Sequence, residues 1–116
     1  MWSNMDIRDI KAYQKKISII GKIVEKTDLR TVVSRLDNVE HKVCEALVGD
    51  ETGTVYLTLW DKSIDDLQDG KIYSFENLYS SEFKKSLRLN LGRFGEFKEL
   101  DKDIKVNTDN KISIDV

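Results

Sequence analysis

The sequence predicts an all-β domain, a five-stranded Greek-key barrel with one short helix between its third and fourth strands. Three observations carry the prediction. Most apolar residues fall in segments that alternate with polar ones at period two, as in VYLTLWD at 55–61. The first such segment is far longer than an ordinary strand of about 5–6 residues and holds Gly21 inside it. Only one stretch has helical character, too short to alternate with every strand of a parallel sheet.

The elements follow in order. Residues 4–13 are expected as a short helical or irregular lead-in. Residues 15–36 are rich in β-branched side chains, with isoleucines on both parities (Ile17, Ile19 and Ile23 against Ile20). A strand that bends at a glycine and serves two sheet faces has this pattern. DNVEHK at 37–42 is a polar loop and VCEALVGD at 43–50 a second strand. ETG at 51–53 is a tight turn in which Gly53 is expected at positive φ. It joins the second strand to 55–61 as a hairpin. KSIDDLQDG at 62–70 is the helix, with Gly70 as its stop. KIYSFENLY at 71–79 is strand four, 80–85 a turn, and SLRLNLG at 86–92 strand five, with Leu87, Leu89 and Leu91 inward and Arg88 and Asn90 outward. The tail is charged, and 111–116 is a candidate edge strand or a mobile end. The expected organisation is a lead-in over 1–14, the barrel over 15–100 and a tail over 101–116. The order β-β-β-α-β-β is that of an OB-fold, whose strands two and three, with the 1–2 and 4–5 loops, form a common nucleic-acid surface.

Composition narrows the function. At 116 residues, 40% hydrophobic and 34% charged, the chain reads as one soluble globular domain able to bury a core. One cysteine, Cys44, and one histidine, His41, exclude a disulfide framework and a Cys/His zinc cluster within the chain. Cys44 is expected as a small core residue. No apolar run approaches the roughly 20 residues of a membrane span, and the N-terminal MWSNMDIRDIKAYQKK is too polar for a signal peptide. The expected location is therefore the cytoplasm, associated with the nucleoid. Net charge is −2, which weighs mildly against nucleic acid, but its distribution matters more. FKKSLRLNLGRFG at 83–95 holds Lys84, Lys85, Arg88 and Arg93 and no acid, whereas DKSIDDLQD at 61–69 holds four Asp and one Lys.

By alternation, Tyr56, Thr58 and Trp60 face away from Val55, Leu57 and Leu59. Taken alone, Trp60 has an ordinary alternative as a half-buried rim aromatic. Tyr79 at the end of strand four and Phe83 in the next turn change its meaning, because the 4–5 turn of such a barrel folds over the face of strands two and three. Trp60, Tyr79 and Phe83 then surround one groove, with Lys84 and Lys85 at its edge and Arg88 outward on strand five. Aromatics interleaved with cations suit single-stranded nucleic acid. Stacking contributes about 1–3 kcal/mol per base whatever the base, and Lys or Arg meets phosphate.

Three stretches, DIKAYQKKISIIGKI at 9–23, DETGTVYLTLWD at 50–61 and QDGKIYSFENLYSSEFKKSLRLNLG at 68–92, resemble archaeal single-stranded DNA-binding proteins of the one-OB type. They are similar as well to the human single-stranded DNA-binding proteins of the sensor complex and, more distantly, to replication protein A. The G-D-x-T-G turn, the L-T-L-W-D strand and the E-N-x-aromatic-x-x-x-F-K run carry the resemblance, which spans roughly 9–100. It implies that Trp60, Tyr79 and Phe83 stack on bases, that Lys84 follows as a cation and that Arg93 matches a basic residue some members carry. Three departures stand out. Ala12 replaces a lead-in proline, Asn90 stands where some members have an aromatic, and the residues end at Val116 with no Gly/Arg-rich or acidic stretch to recruit partners.

Other residues have open readings. Tyr56 extends the groove or is an ordinary β-surface tyrosine. Arg30 and Arg35 flank the 1–2 loop and reach phosphate or are solvated charges. His41 reads as a plain surface residue. Asp65 and Asp66 lack a third ligand and read as a solvated helix face.

The expected function is non-enzymatic, sequence-tolerant binding of single-stranded DNA in replication, repair or recombination, with RNA left open. Bases stack on Trp60, Tyr79, Phe83 and Tyr56, and Lys84, Lys85, Arg88, Arg93 and Arg30 hold the backbone. The alternative is a protein-interaction adaptor or a subunit of a larger replication protein A-like complex. No cofactor, metal, membrane or small-molecule substrate is expected, and other replication or repair proteins are open as partners. No carboxylate cluster with metal-ligand spacing supports a nuclease.

Overall fold

Ile17–Val33 (β1) is one strand of 17 residues whose halves serve different neighbours. In the computed structural model, which describes residues 4–92 and 94–113, the remaining elements are Glu40–Asp50 (β2), Gly53–Trp60 (β3), Lys62–Asp66 (α1), Ile72–Phe83 (β4), Ser86–Asn90 (β5) and Glu96–Leu100 (β6). From Ile17 to Lys22, β1 lies antiparallel to β4; from Lys22 to Val33 it lies antiparallel to β2. The change of partner comes beside Gly21, where a Cβ would stand 2.5 Å from Val48 Cγ1. Only glycine lets β1 turn that closely over β2. Bulges at Ile23/Glu25 and Thr27/Arg30 add to the bend.

β2 and β3 form a hairpin, β3 runs parallel to β5, β5 antiparallel to β4, and β4 returns to β1, closing the barrel. The inward residues of every barrel strand meet in one core. Ile19, Ile23, Val48, Leu57, Phe75 and Leu89 are buried there, as is Cys44. Leu67, just past α1, and Ile7, in a 3-10 turn over Ile7–Asp9, plug it from outside the strands.

The described residues form six strands where the sequence led us to expect a barrel of five. β6 pairs with Ile72–Glu76 of β4, and Phe97 packs its ring against Tyr73 and Phe75 at 6.0 and 6.4 Å. The helix stops at Asp66, short of the expected 62–70, and Gly70 takes positive φ (85°) in the following turn. β2 begins three residues earlier than expected, β4 runs on to Phe83, and β5 ends at Asn90. Gly53 does not adopt positive φ; it opens β3. What requires glycine there is space, since a Cβ would come within 2.7 Å of the Asn110 carbonyl oxygen.

That contact belongs to the C-terminal segment, which crosses the start of β3. Thr54 N–H donates to the Asn110 carbonyl, Ile112 N–H to the Thr54 carbonyl, and Tyr56 N–H to Ser113 Oγ. The Ser113 hydroxyl donates to the Leu87 carbonyl, and the Ser113 carbonyl accepts from Ser86 Oγ. The tail thus bonds to both β3 and β5 next to their short parallel pairing of Tyr56–Thr58 with Arg88–Asn90. Lys111 makes a single parallel bridge to Thr54. Of the 111–116 segment expected as an edge strand, 114–116 lie outside the described residues. The lead-in is tied at the same end, where Asp50 accepts from Ile7 N–H, Thr52 N–H, Thr52 Oγ1 and Gly53 N–H. That one carboxylate both shapes the β2–β3 turn and anchors the lead-in, which gives the G-D-x-T-G run its physical sense.

Candidate nucleic-acid interface

Alternation along β3 buries Val55, Leu57 and Leu59 completely and turns Tyr56, Thr58 and Trp60 to the other face. The register sets Tyr56 beside Arg88 and Thr58 beside Asn90 on β5, with Tyr79 opposite Asn90 and Phe83 opposite Ser86 on β4. Two hollows result on one face. Trp60, Thr58, Tyr79 and Asn90 line the first. Tyr56, Phe83, Lys84, Arg88 and Lys111 line the second. Trp60, Tyr79 and Phe83 are 49%, 43% and 55% exposed, so three large rings face solvent along this track. Asn90 donates to Ser81 Oγ at 3.0 Å and lines the hollow together with Trp60 and Tyr79.

Trp60 is held from two sides. Its N–H donates to Ser63 Oγ, and Ser63 Oγ donates back to its carbonyl at 2.7 Å. His41 meets its ring edge-on at 6.2 Å. Expected to be a plain surface residue, His41 instead bridges two carboxylates, Asp61 Oδ2 at 2.7 Å from Nδ1 and Asp37 Oδ2 at 3.1 Å from Nε2. Asp61 also accepts from Lys42 N–H. The hydrogen bond to Asp61, then that to Asp37, raises the His41 pKa above its ordinary value. Both carboxylates are lowered: Asp61 first by its bond to His41, Asp37 first by the Val39 N–H and then by His41.

The cations divide into two groups. Arg88 reaches the track, but its guanidinium is bonded at 2.8 Å to Glu45 and lies 5.1 Å from the Tyr56 ring centre and 5.8 Å from that of Phe83. Arg30 forks onto the same Glu45 and onto Asp28. Glu45 is a buried carboxylate neutralised by two arginines, and both are committed to it before any ligand arrives. Lys84 and Lys85 are exposed at the two-residue β4–β5 turn, both at positive φ (51° and 66°). Such a turn favours Asn-Gly, and two lysines hold it under strain. Lys84 Nζ lies 5.5 Å from the Phe83 ring centre. Arg93 lies outside the described residues, and Arg35 is exposed near the β1–β2 tip.

Sequence reasoning missed Lys111, which the tail brings to the track from 51 positions beyond Trp60, and no local pattern marks it. Asp65 and Asp66 are exposed on α1. Among the described residues no group of three or more His, Cys, Asp or Glu is placed to hold a metal, and no helix is long and apolar enough to cross a membrane.

Comparison with known proteins agrees with this architecture. The family described as single-stranded DNA binding protein Ssb-like, OB fold, matches residues 10–99. The single-stranded DNA binding protein Ssb of Saccharolobus solfataricus is 29% identical over 97 residues, 84% of this chain and 64% of that protein. The chain therefore spans less than two thirds of that relative. A hypothetical protein from Arabidopsis thaliana superposes with a TM-score of 0.80 at 21% identity, covering 99% of this chain and 86% of the other. DNA binding domain A of Saccharomyces cerevisiae replication protein A does so with 0.65 at 19% identity, covering 88% and 97%. These two likenesses concern the fold. The family match runs from the lead-in to β6, through every strand that closes the barrel, and the chain belongs to the Ssb-like family of OB-fold single-stranded DNA-binding proteins.

Proposed function

We propose that the chain binds single-stranded DNA without catalysis and with little sequence preference, in replication, repair or recombination. The observation that carries the reading is the track in which exposed Trp60, Tyr79 and Phe83 alternate with hollows, edged by Lys84 and Lys111, with Lys85 exposed in the adjoining turn. Bases stack on the three rings, and the lysines meet phosphates. Arg88 serves as a flat, pre-set layer beneath Tyr56 and Phe83 more than as a backbone clamp, because Glu45 already holds it. Arg30 is held the same way. Stacking and point charges read no base edge, which makes the binding sequence-tolerant, and RNA offers the same ring faces and phosphates. A protein adaptor would use these rings too, but a rim of lysines favours a polyanion. A role on DNA places the chain with the nucleoid and with other replication or repair proteins.

The test is a titration with oligothymidylate at low and high salt, read by Trp60 fluorescence in a Trp2→Phe background. Quenching is expected, weakening as salt rises with a logarithmic slope of about −0.7 per phosphate contact on a single strand. Trp60→Ala is expected to lose about 1–3 kcal/mol, roughly five- to 150-fold in Kd. Oligothymidylate binding by Trp60→Ala as tight as wild type would remove the groove from the account.

A further inference from the structure

We infer that the hollow between Tyr79 and Phe94, rimmed by Lys15 and Lys16, is an additional base subsite that prolongs the single-strand track past Tyr79. The inference rests on the reading of the Trp60–Tyr79–Phe83 face as that track. Lys15, Lys16, Asn77, Leu91 and Gly92 line the hollow together with Tyr79 and Phe94. Tyr79, Leu91 and Gly92 also line the hollow that holds Trp60, so the two are continuous around the Tyr79 ring.

Three features suit a nucleotide. First, the walls are two aromatic rings and a leucine, and Phe94 is 72% exposed. Two rings this exposed on adjacent walls, Tyr79 at 43% and Phe94 at 72%, mark a contact surface more than a core. Second, two exposed lysines stand on the rim, and among the described residues no acid lines the hollow. Apolar walls with a cationic rim match a base with its phosphate. Third, the backbone that shapes the site is strained. Lys16 and Asn77 take positive φ (56° and 60°), a conformation that non-glycine residues hold only where their surroundings impose it. Asn77 Nδ2 donates to the Phe94 carbonyl, tying the residues after β5 to β4. Gly92, also at positive φ (67°), lets the Tyr79 ring lie close, since a Cβ there would stand 2.7 Å from Tyr79 Cε1.

The experiment titrates labelled oligothymidylates of increasing length against the full chain, Phe94→Ala, Lys15→Ala/Lys16→Ala and Trp60→Ala, each first checked for an unchanged thermal melt. Wild type is expected to gain affinity with length. Phe94→Ala should bind the shortest oligomers like wild type and fall about tenfold behind on longer ones, the loss of one stacked base. Lys15→Ala/Lys16→Ala should flatten the salt slope on long oligomers by about 0.7 per lost contact. If Trp60→Ala is weak but Phe94→Ala follows wild type at every length, the subsite is wrong and the main track stands. Equal weakening of Phe94→Ala at all lengths also overturns the subsite. If Trp60→Ala binds like wild type, the track reading fails and takes the subsite with it.

Discussion

Glu45 holds two arginines in place at the proposed binding face. Its side chain is only 7% exposed, on the face that alternation assigns to ligand, and it accepts from Arg88 and Arg30 at 2.8 Å each. Removing one partner of a fully buried ion pair costs about 3–5 kcal/mol. Water reaches both arginines here, so Glu45→Gln should cost less, about 2–3 kcal/mol by urea unfolding. The same change frees Arg88, so the oligothymidylate salt slope should steepen while stability falls. Stability and slope both unchanged would mean that the ion pairs do not form in solution. His41 permits a second test. Its pKa is raised, so its bonds to Asp61 and Asp37 stabilise the fold fully below the ordinary histidine value of 6.5 and lose that effect as pH climbs through the raised value. The carboxylates are lowered, so their share is present above the ordinary value of 3.8 and fades as pH falls through the depressed values. NMR titration should find His41 above 6.5, with Asp61→Asn bringing it down and Trp60 fluorescence following the same curve. A His41 that titrates at or below 6.5 would show that the clamp beside Trp60 is absent.

At the scale of elements, the β4–β5 turn sets stability against binding. Lys84 and Lys85 both occupy the left-handed region, which costs an L-residue roughly 1–2 kcal/mol. Asn-Gly suits that geometry. Lys84→Asn/Lys85→Gly should therefore gain about 1–2 kcal/mol by chemical unfolding and lose oligothymidylate affinity, with a salt slope flatter by up to about 1.4. Higher stability with unchanged affinity would remove both lysines from the interface. This turn also shows what was readable in advance. The outward placement of Trp60, Tyr56 and Arg88 follows from period-two alternation, a local property of each strand, whereas the turn, expected over 80–85, shrinks to Lys84 and Lys85 because β4 runs on to Phe83. The pairing of Arg88 with Glu45 was not readable, because it arises where β2, β3 and β5 lie side by side, 43 residues apart in sequence. Nor was β6: EFKEL has the length of a strand, but its one aromatic, Phe97, becomes a core contact only once Tyr73 and Phe75 of β4 are beside it. Gly53 was read as a turn glycine, yet its need is for space against a tail 57 residues later.

On the scale of the whole molecule, the β3–β5 seam of the barrel is held by two different devices. One is the short parallel pairing of Tyr56–Thr58 with Arg88–Asn90. The other is the tail, whose Asn110, Ile112 and Ser113 bind the β3 backbone at Thr54 and Tyr56 and reach β5 at Ser86 and Leu87. Val106 lies over Gly49, where a Cβ would stand 2.3 Å from Val106 Cγ1, so the tail also covers the end of β2. Ile112 packs against the core, and Lys111 lines the hollow beside Tyr56 and Phe83. The tail therefore couples barrel integrity to the proposed ligand face. Removing residues 105–116 should expose the Thr54 and Tyr56 amides, which lose their acceptors, while the Leu57 and Leu59 amides in the middle of the hairpin stay slow in hydrogen exchange. Lost burial of Ile112 and lost hydrogen bonds should lower stability by about 2–4 kcal/mol. Oligothymidylate affinity should fall further than in Lys111→Ala, because truncation loosens the support of Tyr56 as well as deleting the charge. Were truncation and Lys111→Ala to weaken binding equally, with Thr54 and Tyr56 still protected, the tail would supply a cation and nothing to the closure of the barrel.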